Sequence, residues 1–153
     1  MKLTNRSIQG AVVAALSIAS LGVAASPANA ADLKCSSGSY NTRVAVTGAC
    51  AWGNVTSSGS GLGYTANVNM VVVDNANDGH GAYLAYRTCS LVSVIWQCTN
   101  AVNIASTNGY NTSKPAQTKI NFGGGTNGSR FELRVCDGSV ACSGWDTALS
   151  TPS

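Results

Sequence analysis

Charged side chains are scarce in this chain. Asp, Glu, Lys and Arg make up 10 % of its 153 residues, against roughly 25 % in an average globular protein. Five Asp and one Glu are the whole acidic complement, little material for the paired carboxylates of a glycosidase. Histidine occurs once, as His80, just after Asp78-Gly79, where a solvent-facing turn residue without a chemical role is the simplest reading. No Gly-x-Ser-x-Gly elbow supports a Ser-His-Asp arrangement around it. Cys-x-x-Cys spacing is missing too, and with it the usual signature of redox or zinc sites. These absences argue against an enzyme and imply neither a cofactor nor a metal.

Beyond residue 30 no stretch approaches the roughly 20 apolar residues of a membrane span, and no helical 3.6-residue period is sustained. The first thirty residues differ. Lys2 and Arg6 form a positive start, 11–25 is an apolar run broken only by Ser17, Ser20 and Gly22, and Ala28 and Ala30 supply a small-x-small pattern. That is the organisation of a secretory signal peptide, 1–30. Cleavage after Ala30 leaves 153 − 30 = 123 residues, a single secreted β-domain over 31–153. The net charge of +3 includes Lys2 and Arg6, so the exported part carries only 3 − 2 = +1. No nucleic acid partner and no membrane insertion are expected of it.

What the exported part does contain is Ser, Thr, Asn, Gly and six cysteines, Cys35, Cys50, Cys89, Cys98, Cys136 and Cys142. An even count in a small exported chain reads as three disulfides, and pairing of sequence neighbours is the simplest of the fifteen connectivities. Short strand patterns recur with turn signals every 8–15 residues. Candidates are 42–47, 64–74, 82–88, 101–105, 118–122 and 130–136. Residues 57–63 and 106–116 read as loops, the second carrying Asn108-Gly109 and Pro115. Residues 75–81, with Asp78-Gly79, and 123–128 read as hairpin turns. Met70-Val71-Val72-Val73 is continuously apolar, as in a strand end covered on both faces. The fold class is all-β, an antiparallel β-sandwich of immunoglobulin or fibronectin size, with a small β-barrel as the alternative.

Three ionisable groupings are candidates for chemistry. Asp74-Asn75-Ala76-Asn77-Asp78-Gly79 has the composition of a calcium loop. An EF-hand, however, needs oxygen donors where this chain has Ala76 and Ala85. Turn-forming Asp and Asn explain the stretch, with a non-EF calcium site as the minor alternative. Glu132 alternates with apolar residues and is expected at the surface near Arg130 or Arg134. Asp137 and Asp146 flank the last hairpin and could be close in space, but surface charges are the simpler reading.

The strongest functional candidate is apolar. Between Cys89 and Cys98 lie Leu91, Val92, Val94, Ile95 and Trp96, broken by Ser93. A tight hairpin closed by this bridge would turn at Ser93-Val94 without the Gly or Asn such turns prefer. Apolar groups on a rigid loop mark a protein-contact anchor, unless they are ordinary core strand residues. Trp52 and Trp145, which follow Cys50 and Cys142 closely, are alternatives for stacking on sugar rings.

Phe131-Glu132-Leu133-Arg134-Val135-Cys136 with Cys142-Ser143-Gly144-Trp145 resembles the closing hairpin of small exported actinomycete β-domains. Asp78-Gly79-His80-Gly81-Ala82-Tyr83-Leu84 is similar to the lead-in to a strand in the same proteins. They include the adaptor subunits of umbrella toxin particles, which bridge a lectin-bearing subunit and a spoke-bearing toxin subunit. The resemblance implies a non-enzymatic, extracellular protein-interaction module. It departs from that family at its start, where only residues 31–34 would precede Cys35 in place of a docking extension, and no family contact residue maps onto a motif here. The expected partner is another secreted or cell-surface protein. A carbohydrate- or cell-wall-binding module, and a small secreted inhibitor or hydrolase, are the alternatives.

Overall fold

A computed structural model describes Cys35 and residues 39–60, 63–123 and 127–151. The expected signal peptide lies outside the described residues. Among the described residues the fold has ten strands: β1 (Thr42–Val46), β2 (Ala49–Ser60), β3 (Gly63–Asp74), β4 (Ala82–Val92), β5 (Ile95–Cys98), β6 (Val102–Ser106), β7 (Thr112–Phe122), β8 (Ser129–Asp137), β9 (Ala141–Cys142) and β10 (Asp146–Ser150). They build two antiparallel sheets. The four-stranded sheet has the order β1-β2-β3-β7, and the six-stranded one β10-β8-β4-β5, with β6 sharing β4 and β9 sharing β8. Among the described residues no ladder joins β6 to β7, so the sheets remain a sandwich and do not close into a barrel.

Alternation explains the core. Val55, Val68, Met70, Val72 and Phe122 of one sheet face Leu84, Phe131, Leu133 and Val135 of the other, all buried. Aromatic rings carry the contact across the sandwich: Phe122 and Phe131 lie 5.9 Å apart between centroids, with Tyr64 and Tyr86 packed on their far sides. Offset and tilted ring pairs of this kind add to the apolar area they bury. Tyr83 and Ala85 point to the opposite face of β4 from Leu84 and Tyr86, as the alternation requires.

The end of β3 is covered on both faces, as the Met70–Val73 run foretells. Val73 packs outward against Cys35 and Cys50, with Trp52 and Val71 completing a small second cluster. The bridge Cys35–Cys50 pins this cover, and Cys89–Cys98 and Cys136–Cys142 complete the sequential set.

Several sequence expectations need correction. Residues 57–60 are not loop but strand, since β2 pairs with β3 out to Ser60–Gly63. Gly61 and Leu62 lie outside the described residues. Pro115 is not in a loop either. It sits in β7, opposite Val71, where the strand's other edge is free and a missing N–H costs no ladder bond. The turns at 75–81 and 123–128 do not close hairpins, because β3 and β4, and likewise β7 and β8, belong to different sheets. A Gly-rich turn signal records a chain reversal, not the strand that receives it. The tail at 146–150, patternless in sequence, becomes β10 along β8.

Candidate functional site

The outward face of the six-stranded sheet carries a continuous row of side chains running along β4 and β8. At one end the Arg130 guanidinium lies 4.0 Å from the centre of the Trp96 ring. Next comes Cys89, opposite both Arg130 and Cys98. Arg87 Nε then donates to Glu132 Oε2 at 2.6 Å, directly across the ladder. Beyond them Trp145 takes the Arg87 and Arg134 guanidinia at 4.4 and 4.5 Å from its ring centre. Glu132 is therefore neither at the surface nor paired with Arg130 or Arg134. It is buried beneath this row, and its partner is 45 residues away.

A guanidinium held over an indole has its charge neutralised little and its position fixed well. The row carries three cations against one buried carboxylate, so its outer aspect is positive. Arg134 Nε is shielded from solvent and has no hydrogen-bond partner.

The clamped loop extends from the Trp96 end. β4 and β5 pair from Cys89–Cys98 to Val92–Ile95, leaving Ser93 and Val94 as a two-residue turn. The last β4–β8 pair is Ser90–Ser129, so the hairpin overhangs the sheet by its final turn. Val92, Val94 and Ile95 are consequently 46 %, 87 % and 67 % exposed, because no opposite sheet reaches them. Leu91 and Trp96, paired on the outward face, are half-buried. Ser93 has φ +58°, while Val94 stays at negative φ, the sign pattern of a type II′ turn that usually takes glycine at its first position. The sequence points to this turn correctly, and its unfavourable chemistry is met by a strained serine, not avoided.

The other aromatic candidates sit differently. Trp145 is half-buried and presents its ring to the two arginines. Trp52 is half-buried beside Tyr40, ring centroids 6.4 Å apart, on the outward face of the four-stranded sheet. That face continues as amide and hydroxyl side chains. Asn67 Nδ2 donates to Ser58 Oγ, Gln117 Nε2 to Asn69 Oδ1, and Thr65 Oγ1 to Asn121 Oδ1. Asp137 and Asp146 do not meet. Asp146 faces Leu133 within the ladder, whereas Asp137 ends β8 beside the loop between β3 and β4. Between β6 and β7 runs an open groove of about 420 Å³, lined by Tyr86, Ile104 and Ile120 among others; no charged cluster converges on it.

Comparison with protein-family models, curated proteins and solved structures returned no match. The three disulfides fit an extracellular protein, and among the described residues no helix is long and apolar enough to cross a membrane.

Proposed function

We propose that this chain is an exported, non-enzymatic protein-interaction module whose β4–β5 tip seats in an apolar pocket of another secreted or cell-surface protein. In its most specific form, drawn from the family resemblance, it is the adaptor subunit of an extracellular antibacterial toxin complex. The observation that supports this reading is the exposure of Val94 and Ile95 on a disulfide-clamped, overhanging hairpin. A soluble domain does not keep bulky aliphatic groups at a rigid tip without cost to its solubility, and such groups serve as buried anchors once a partner covers them. Arg130 stands beside the tip and Arg87 and Arg134 behind it, which favours a partner pocket rimmed by acidic side chains.

The test is affinity capture from the producing culture with the wild-type protein and with V94S/I95S. Loss of the wild-type partner on substitution, with an unchanged melting temperature, supports the reading. A partner captured equally by both proteins counts against it.

The second reading, a glycan- or cell-wall-binding module, has its own support in the outward face of the four-stranded sheet. Amides and hydroxyls next to Trp52 and Tyr40 can exchange hydrogen bonds with sugar hydroxyls while an aromatic ring stacks on the sugar. Retention on peptidoglycan or a glycan array, competed by free sugar and lost in Trp52→Ala, distinguishes it from the first.

A further inference from the structure

The geometry points to a divalent transition-metal site, of the kind that takes Zn²⁺, formed by Asp78, His80 and Asp137. Asp78 and His80 come from the loop between β3 and β4, and Asp137 from the end of β8, some 57 residues away in sequence. One ligand atom from each lies within 4.8 Å of the others, and Asp78 Oδ2 is 3.6 Å from His80 Nδ1. Zinc bonds of about 2.0–2.2 Å to nitrogen and oxygen place tetrahedral ligand atoms roughly 3.3–3.5 Å apart, so side-chain torsions alone close the remaining distance.

An independent observation sits at the same place. Asp137 is 5 % exposed, and its Oδ1 is shielded from solvent with no hydrogen-bond partner. A buried carboxylate oxygen in that condition calls for a proton, a water or a cation. The backbone makes room for it. A Cβ on Gly48 would collide with the Asp137 carboxylate, and one on Gly138 would press on the His80 side chain at 3.0 Å. Both glycines adopt positive φ, so the cradle suits glycine twice over. The two segments are already tied, Gly138 N donating to Gly81 O at 2.7 Å.

Electrostatics agree. The buried Asp137 carboxyl and the Asp78 carboxyl lie close to one another, and the His80 backbone N–H donates to Asp78 Oδ1 at 2.9 Å. Two acids this close repel unless they share a proton or a cation lies between them. Asp74 adds negative charge nearby but is not a ligand, since its carboxylate accepts from Ala76 N and Gly109 N. Imidazole among the donors selects zinc-like ions over Ca²⁺ and Mg²⁺. The other grouping of acids and cysteines, Cys89, Cys98 and Glu132, offers nothing comparable, because its sulfurs are consumed in a disulfide and its carboxylate by Arg87. Three protein ligands leave a fourth position for water. The bound ion would fasten the turn after β8 to the loop after β3, where no disulfide reaches.

The test uses untagged, disulfide-bonded protein. One Zn²⁺ per chain by titration calorimetry, and a melting temperature raised by about 5 °C when free Zn²⁺ is tenfold above its Kd, are the expected results. Asp137→Asn and His80→Gln should each weaken Zn²⁺ binding about 100-fold, and Asp137→Asn should leave the metal-free melting temperature no lower than wild type. Co²⁺ loaded into the wild-type protein should give visible d–d bands without thiolate charge transfer, a readout independent of whether either variant folds. Absence of one-to-one Zn²⁺ binding at 100 μM metal, an equal effect of Ca²⁺, or full retention of binding by either folded variant overturns the proposal.

Discussion

The two disulfide-clamped hairpins of the six-stranded sheet begin alike and end differently. In each, directly opposed cysteines hold Cα atoms 4.0 Å apart, and both bridges lie on the outward face of the β4–β8 ladder, one near each end. The β8–β9 hairpin turns through Gly138 and folds back on the molecule, its Gly138 N–H bonded to Gly81 and its Asp137 beside His80. The β4–β5 hairpin turns through Ser93 and Val94 beyond the end of the β4–β8 ladder, and among the described residues its aliphatic groups Val92, Val94 and Ile95 stand exposed. The bridge is thus a common device that stiffens a hairpin. What the hairpin is for depends on whether its turn lands on protein. In the reading proposed above, the landed one is the wall of the metal site and the free one the binding edge.

The contrast can be broken at several strengths. Phe131→Ala removes the ring that packs β8, the neighbour of β4 and parent of the β8–β9 hairpin, into the core, and should cost about 3–5 kcal/mol, read by urea denaturation. Replacing either cysteine pair by serine should cost about 2–3 kcal/mol by chain entropy, slightly more for Cys89/Cys98 because its loop is longer. Only the loss of Cys89–Cys98 should also abolish partner capture. Ser93→Gly relieves the positive-φ strain at the free tip and should stabilise by about 0.5–1 kcal/mol, visible as a raised denaturation midpoint. Smallest of all, V94S/I95S should change stability by no more than about 0.5 kcal/mol, since these side chains bury little surface in the free protein.

Much of the architecture is legible in the sequence, and the gaps have physical causes. Period-two alternation identifies β4 and β8 and even which way Tyr83 and Leu84 point, because it depends only on the strand itself. Sequential bridging follows from short cysteine spacings. The turn at Ser93-Val94 is legible because the bridge leaves it little freedom. Sheet membership is not legible, since the turn chemistry of Asp78-Gly79 serves a hairpin and a crossover equally. The Arg87–Glu132 pair and the approach of Asp137 to His80 depend on strand register and crossover geometry, over 45 and 57 residues. No local pattern encodes either one, so the single histidine and the scattered acids read as inert turn and surface residues until the fold brings them together.

That the free tip is a binding edge and not part of the core rests most directly on one paired measurement, urea denaturation and partner capture of V94S/I95S alongside wild type. The expected result is coincident denaturation curves with capture lost. A denaturation midpoint lowered by the equivalent of about 2 kcal/mol or more, as for a buried aliphatic pair, or capture that persists undiminished, contradicts it.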